Sequence, residues 1–491
     1  MNASFRALRS ALAAALCGIG LLMASTPLQA QTPVPTPENP LLVPSDAPFG
    51  APRFDRIHAA DFPEAIVQGL REYEADIDSI CAVAPEAATF ENVIGALNRA
   101  GRKLRDTQTL LSYLKTVVGG DSLVRIYETT APALSRASDR TTFDPKIFAL
   151  VSALHQKREQ LGLDSLALRT LKRYYNGYIA RGALRTPAEQ QRLSQINEQM
   201  ALKRSRHGQN ILRATENFVF FVRDSNRLAG LSPSVRQRLA RRAWELNRPW
   251  EWVITAGDYS GVMANASDRS LREQLYKAFT ARCSSGGEYD NRELTAEILN
   301  LRLEKARLLG YDTYAEYAIR GNMADTPQGV RELLLPLLRA AGAKAGSEIA
   351  QMQALRDEGR DTQLEPWDLY YYLQRLHTER YGSDLRQAGY YLQPDKVRDG
   401  MFQVAQRLYG IWMLRRTDIP VCDPEIQVFE ARDRDGTTLG LLYLDCFARK
   451  GKLKGAATGS LRRYSTDGNS EALPLVTVSA ISRGRLGDGS S

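Results

Sequence analysis

The spacing of histidines indicates whether this chain could hold a catalytic metal ion. Hydrolysis by zinc needs three protein ligands, an open position for water and a carboxylate nearby that takes a proton. The pattern His-Glu-x-x-His supplies two ligands and the carboxylate on one helix. The 491 residues contain four histidines, none with another histidine four residues away: His58, His155, His207 and His377. His377-Thr-Glu-Arg-Tyr is the nearest imitation, but its carboxylate is misplaced, so we expect no metal site.

Other common catalytic patterns are also missing from the sequence. It contains no Gly-x-Ser-x-Gly turn, and Ser284-Ser-Gly-Gly-Glu288 lacks the strand and lysine of a phosphate-binding loop. Of the five cysteines, Cys17 lies in the N-terminal apolar run, and Cys81, Cys283, Cys422 and Cys446 are too widely spaced for a paired metal motif or a dense disulfide framework. We therefore expect four separate buried thiols and no catalytic residue.

A binding surface is expected between residues 440 and 480. Helical periodicity gives way there to two β-type runs, Gly440-Leu-Leu-Tyr-Leu-Asp445 and Leu473-Pro-Leu-Val-Thr-Val-Ser-Ala480. An otherwise helical protein thus builds a sheet edge at this point. A sheet edge in a helical cleft can hold an extended peptide.

Helices must position this edge. Thr186 can cap a helix, and Glu189 can reach back to it in a capping box. Leu193, Ile196 and Met200 then recur at helical spacing and define a core face.

Length and charge limit the class of protein. A chain of 491 residues exceeds the usual size of one hydrophobic core, so two domains or one large helical body is expected. The net charge is +9, but lysines and arginines are scattered through amphipathic helices, so we expect no nucleic-acid partner. The oligomeric state is not predicted by any of these patterns.

The first 30 residues have the layout of a secretory signal peptide. Arg6 and Arg9 precede an apolar run from Ala11 to Met23, and Ala30 is a small residue of the kind found at a signal-peptide cleavage site. The run is too short to span a bilayer, so no membrane contact is expected after its removal. Residues 31–48 are rich in proline and form a linker. The mature protein is expected to be periplasmic or secreted.

Several longer segments resemble one known family. They are residues 298–319, ILNLRLEKARLLGYDTYAEYAI; residues 364–382, LEPWDLYYYLQRLHTERYG; residues 440–445, GLLYLD; and residues 454–457, KGAA. In the same order, they are similar to segments of the thimet oligopeptidase and peptidyl-dipeptidase (oligopeptidase A) family of zinc metallopeptidases. The likeness extends from about residue 39 to about residue 480.

The resemblance implies a mainly α, two-lobed, zincin-type oligopeptidase fold with a small β-sheet. Residues 49–260 would form the N-terminal helical region and residues 261–491 the front part of the catalytic region. Zinc is the cofactor of the family, and short peptides are its substrates. The resemblance places substrate binding on Gly455, Ala456 and Ala457.

The zinc-binding helices of the family lie beyond the equivalent of Ser491. We therefore expect a truncated, exported zinc metallopeptidase with an incomplete catalytic lobe, which binds no zinc and is inactive as this chain. The alternatives are a non-catalytic peptide-binding protein that uses the retained channel wall, and the product of a decayed gene. The apolar faces of residues 439–444 and 473–478 are expected to stay uncovered, because the helices that would cover them follow later in the family.

Overall fold

Helices make up most of the chain, as the periodicity predicts. The computed structural model describes residues 38–356, 363–382, 391–447, 449, 451–452, 455–467 and 470–482. Within these ranges the fold is mainly α with a small mixed sheet, which confirms the predicted fold class. The predicted signal peptide lies outside the described residues, as do residues 31–37 of the proline-rich linker. The predicted boundary between residues 260 and 261 stays a prediction.

The α-helices are numbered in chain order. They are α1 Phe62–Cys81, α2 Ala96–Arg99, α3 Arg102–Val117, α4 Asp121–Phe143, α5 Pro145–Gln156, α6 Ser165–Arg181, α7 Pro187–Glu216, α8 Pro233–Glu245, α9 Tyr259–Asn265, α10 Arg269–Thr280, α11 Arg292–Leu308, α12 Tyr314–Ile319, α13 Pro327–Arg356, α14 Leu369–Tyr381 and α15 Pro394–Tyr409. Shorter 3-10 turns span Pro48–Gly50, Ala59–Asp61, Pro85–Ala87, Ser225–Leu228 and Pro366–Asp368, and a π-helix spans Phe90–Gly95.

Within the described ranges the strands form one five-stranded sheet and two two-stranded sheets. They are β1 Val219–Val222, β2 Trp252–Thr255, β3 Trp412–Arg416, β4 Gln427–Arg432, β5 Thr438–Phe447, β6 Ala457–Arg462, β7 Ser465–Asp467, β8 Ser470–Ala472 and β9 Leu475–Ser482. The larger sheet has the order β3-β4-β5-β9-β6, while β1 pairs with β2 and β7 pairs with β8.

The capping signal at Thr186 works as the sequence predicts. The Thr186 side chain accepts a hydrogen bond from the Glu189 backbone, and the Glu189 carboxylate accepts one from the Thr186 N–H at 2.8 Å. Leu193, Ile196 and Met200 are buried, which confirms the predicted core face of α7.

One parallel pair interrupts an otherwise antiparallel sheet. β5 and β9 run parallel, and the chain between them forms β6, which returns to pair with the far side of β9. Tyr443 of β5 thus lies opposite Thr477 of β9, and Thr477 lies opposite Gly459 of β6. This topology places β6 at one outer edge of the sheet and β3 at the other.

The N-terminal helices cover one face of this sheet. Phe62 of α1 and Leu111 of α3 belong to the same core as Leu441, Tyr443 and Leu475, all of them buried. The expectation that the apolar faces of residues 439–444 and 473–478 stay uncovered is therefore wrong for this face, whereas Leu442, Val476 and Val478 on the opposite face are half-buried. The covering helices come from the beginning of the chain, a long-range contact that periodicity does not reveal.

Exposed apolar surface lies instead on α13. Of its 30 residues only Met352 is buried, and Leu333, Leu334, Leu337 and Leu338 are between 52% and 66% exposed. None of the helices in the described ranges combines the length and the apolar character needed to cross a membrane.

Asp368 joins three separate helical segments through buried charge. Its carboxylate accepts hydrogen bonds from Arg269 at 3.0 Å, from Arg272 at 2.9 Å and from Arg356 at 3.2 Å. The carboxylate is fully buried, and the side chains of Arg272 and Arg356 are nearly so. Burial alone would raise the pKa of Asp368, but the hydrogen bonds from Arg269 and Arg272 bring it below its ordinary value.

We predict that Asp368→Asn lowers the free energy of unfolding by about 3–5 kcal/mol at pH 7, because it leaves buried guanidinium groups without a counter-charge. Urea unfolding followed by circular dichroism measures this change. The folded pKa of Asp368 lies below the value of about 3.9 for an unfolded aspartate. The wild-type advantage is therefore present above about pH 4 and is lost as the pH falls through the folded pKa.

The matched control is Glu245→Gln, which removes an exposed carboxylate 4.0 Å from Arg241. We expect this control to change stability by less than about 1 kcal/mol, because solvent screens exposed pairs. Equal effects of the two substitutions would contradict the assignment of Asp368 as the charge that holds these helices.

Candidate functional site

The three residues assigned to substrate binding lie where β6 begins. Ala457 is the first residue of the strand, Gly455 and Ala456 lead into it, and all three are exposed. Gly455 has φ of 122°, a backbone conformation that favours glycine. The structure thus places these residues at an edge of the sheet, and substrate binding by them stays a prediction.

β6 has one edge that pairs with no other described strand. Its partner is β9, with Ala457 opposite Ser479 and Arg462 opposite Leu475. Ala457, Thr458 and Gly459 are exposed. An unpaired strand edge presents N–H and C=O groups that an extended chain can satisfy by pairing. This edge can therefore bind a peptide through its backbone.

A cavity of about 480 Å³ opens between α3 and the end of the sheet that carries β6. Its walls include Ser112 and Thr116 from α3, Gly459 from β6, and Thr477 and Ser479 from β9. Its volume lies within the range of about 300–1,000 Å³ that is common for small-ligand sites. The free edge of β6 thus borders a space large enough for a side chain and water.

Local sequence patterns make this space polar. On α3, Thr109, Ser112 and Thr116 recur three and four residues apart and so share one helix face. On β9, Thr477 and Ser479 are more buried than the valines that alternate with them. The buried face of β9 is thus apolar at its start, at Leu475, and carries hydroxyl groups beside the cavity, at Thr477 and Ser479.

A buried lysine closes the end of the sheet next to the cavity. Lys452 Nζ donates to Asp445 Oδ1 at 2.8 Å and to three backbone carbonyls, those of Asp445, Phe447 and Ala480, at 2.7–2.9 Å. Both charged side chains are almost fully buried. Ala480 belongs to β9, the strand that pairs with β6. The Lys452 ammonium therefore links the end of β5 to the end of β9.

Arg449 links the same carboxylate to α3. Its guanidinium donates to both oxygens of Asp445, at 2.7 and 2.9 Å, and to the Val117 carbonyl at 2.8 Å. The backbones also come very close, since a Cβ on Gly119 would lie 2.3 Å from the Gly451 carbonyl oxygen. Glycine is therefore needed where the end of α3 meets the β5–β6 connection.

The described residues do not fit a zinc ion. They contain no group of three or more histidine, cysteine, aspartate or glutamate side chains that could hold a metal. His155 stacks on Tyr175 with ring centroids 3.9 Å apart, and the exposed His58 has its Nδ1 3.8 Å from an oxygen of Asp61. These histidines have structural contacts, so we assign no catalytic step to a metal on these residues.

The four cysteines in the described part of the chain are separate thiols, as predicted, but each is half-buried rather than buried. Burial raises the pKa of the Cys422 thiol to about 11, so it is protonated at neutral pH and is a poor nucleophile.

Sequence reasoning missed the residues that hold and line this site. Lys452 follows Asp445 by seven residues in a connection without helical or strand periodicity, so nothing in the pattern pairs them. The stripe of Thr109, Ser112 and Thr116 was a usable signal, because hydroxyl groups at helical spacing on a core helix need polar surroundings.

Comparison with a family model places part of this chain among known sequences. Residues 262–480 match the model described as Peptidase family M3. The match includes the five-stranded sheet as far as Ala480 and helices from within α9 onward.

Individual proteins are similar over a longer part of the chain. A dipeptidyl carboxypeptidase of Escherichia coli is 31% identical over 435 residues, covering 88% of this chain and 64% of that protein. Oligopeptidase A of Salmonella typhimurium is 28% identical, covering 85% of this chain and 62% of that protein. An organellar oligopeptidase A of Arabidopsis thaliana is 26% identical, covering 92% and 58%. The chain thus spans less than two thirds of the length of these relatives.

Proposed function

We propose that this chain is a member of peptidase family M3, a family of zinc metallopeptidases whose model residues 262–480 match, and that it binds short peptides along the outer edge of β6. The observation that carries the proposal is the free edge of β6, which begins at the predicted substrate-binding residues Gly455, Ala456 and Ala457. Backbone pairing to this edge holds a peptide in extended form and tolerates many sequences.

Several residues of the chain keep this edge in place for a peptide. The charges of Asp445, Arg449 and Lys452 fix the end of the sheet against α3, so the edge is formed before the peptide arrives. Binding to a preformed edge costs less conformational entropy than ordering a loop around the ligand. The wall of the cavity between α3 and β6 orients the peptide along the strand and excludes water from one side of the peptide.

We propose that this binding serves hydrolysis of short peptides, the chemistry named in the relatives dipeptidyl carboxypeptidase and oligopeptidase A. When bound in this family, zinc supplies an acidified water and a Lewis acid. The 491 residues of the chain lack the His-Glu-x-x-His pattern, and we propose that this chain by itself captures peptides without cutting them. Non-catalytic peptide binding is the second candidate function, and the free edge of β6 favours it, because backbone pairing to a strand edge requires no metal.

Backbone pairing predicts a period of two in the response to N-methylated peptides. Each methyl group that replaces an N–H facing β6 should weaken binding roughly tenfold, whereas methylation at the intervening residues should have little effect. Fluorescence anisotropy with one eight-residue peptide, methylated at one position at a time, measures this pattern. Equal sensitivity at all positions, or at none, would contradict strand pairing.

Hydrogen exchange locates the peptide within the same experiment. Amides of residues 457–461 in β6 should become protected, while residues 412–416 in β3, the other outer strand, serve as the internal control. Protection confined to β3 would show that the peptide binds the opposite edge of the sheet, and it would contradict binding at β6.

The metal content gives a separate prediction. The purified chain should hold far less than one zinc ion after incubation with zinc and gel filtration, because three or four oriented ligands are required. Elemental analysis measures the zinc, and mass spectrometry shows whether the bound peptide stays intact. Stoichiometric zinc that survives mild chelation, or cleavage that a chelator abolishes, would overturn the proposal of capture without cutting.

We further propose that the chain is exported to the periplasm or secreted, on the basis of Arg6, Arg9 and the apolar run from Ala11 to Met23. The mature N-terminus should be Gln31 or a near neighbour, as read by mass spectrometry of the expressed full-length chain. The double variant Arg6→Glu, Arg9→Glu should retain Met1 and remain in the cytoplasm. Intact Met1 in a periplasmic fraction would contradict removal of the segment.

A further inference from the structure

The cavity beside β6 has a lining rich in hydroxyl groups and free of charge. Nine of the fourteen residues that line it in the described part of the chain carry a hydroxyl group, and none carries an acid, a guanidinium or an ammonium group. Tyr113, in this lining, has a buried hydroxyl next to the Cys422 thiol, and burial raises the pKa of that hydroxyl, so it stays neutral. Such a lining suits a neutral polar group.

The register of the sheet directs a peptide side chain into this cavity. Gly459 lies opposite Thr477, and Ala457 lies opposite Ser479, so each pair shares a face of the sheet, and all four residues line the cavity. A peptide strand added to the free edge of β6 continues the same alternation. A peptide residue opposite Ala457 or Gly459 therefore points towards the cavity, which the small side chains of these two residues leave open.

We propose, resting on peptide binding at β6, that this cavity receives one side chain of the bound peptide and selects an uncharged one. A neutral amide or hydroxyl side chain exchanges its hydrogen bonds with water for bonds to the lining hydroxyl groups. A carboxylate or ammonium group loses hydration there and finds no opposite charge. The substrate class is thus peptides with a neutral residue at this position.

The positive charges close to the cavity are already engaged. The Lys115 ammonium lies 3.7 Å from the centroid of the Tyr127 ring, and burial lowers its pKa. Arg462 donates to the carbonyls of Phe49, Gly50 and Leu473 at 2.6–3.1 Å. Both groups make contacts within the protein, and neither Lys115 nor Arg462 is among the residues that line the cavity. They therefore offer no counter-ion to an acidic side chain bound there.

The test is a peptide series that carries Gln, Glu or Lys at one position, which is moved along an otherwise constant eight-residue peptide. At the position facing the cavity we expect Glu and Lys to bind at least about tenfold more weakly than Gln, and at the adjacent positions we expect similar affinities. Equal affinity for all three at every position would overturn the selection while leaving peptide binding intact. Failure of every peptide to bind would overturn the proposed function, and the selection with it.

A placed charge should reverse the preference. Thr116→Lys should raise affinity for the Glu peptide at least about tenfold relative to the Gln peptide, because it supplies a counter-ion in the cavity. The matched control is Thr280→Lys. Both threonines lie in the last turn of a helix and donate to the carbonyl four residues earlier at 2.8 Å, but Thr280 is remote from the cavity lining. We expect the control to keep the wild-type order.

A second variant keeps the test independent of one substitution. Ser112→Asp places the opposite charge on the exposed part of the same wall and should favour the Lys peptide. Circular dichroism confirms that each variant is folded. If folded Thr116→Lys and Ser112→Asp both retained the wild-type order, the cavity would not be the selecting site.

Discussion

The carboxylate of Asp445 is the contact on which the geometry of the peptide edge depends. It neutralises two buried or half-buried cations, Lys452 and Arg449, which also satisfy four backbone carbonyls between them. These carbonyls belong to α3, to the end of β5 and to β9. One negative charge therefore fixes three elements that are far apart in sequence, and a charge buried this deeply requires that every partner be present.

The hydroxyl cavity follows from that arrangement. With the end of α3 held against the β5–β6 connection, the helix lies over β6 and β9 where their side chains are small. Thr477 and Ser479 are buried there, while the valines between them are only half-buried. A pocket that is polar without being charged results, next to a strand edge that can accept a backbone. Backbone pairing and side-chain selection are thus separate properties of one site.

Asp368 does elsewhere what Asp445 does at the sheet. Both are fully or almost fully buried carboxylates that bind more than one basic side chain. The partners of Asp368 include Arg269 and Arg272, almost 100 residues away, whereas Arg449 and Lys452 follow Asp445 by four and seven residues. Buried ion clusters of this kind contribute less to net stability than to the choice of one arrangement, because their partners cannot be exchanged without a large loss. The long helix α13 relies on this anchoring through Arg356, since it buries only Met352.

Local sequence determined the helices, the cap at Thr186 and the position of the strand runs, because each depends on residues within a few turns of one another. The β-type runs of the sequence also predicted a sheet edge between residues 440 and 480, and the family resemblance pointed within it to Gly455, Ala456 and Ala457, which lie where β6 begins. Only the tertiary structure decided which face of the sheet is covered, because the N-terminal helices that cover it are more than 300 residues away in sequence. The tertiary structure also decided which residues of β9 are buried: the register with β5 turns Thr477 and Ser479 towards α3 and leaves the valines that alternate with them half-buried.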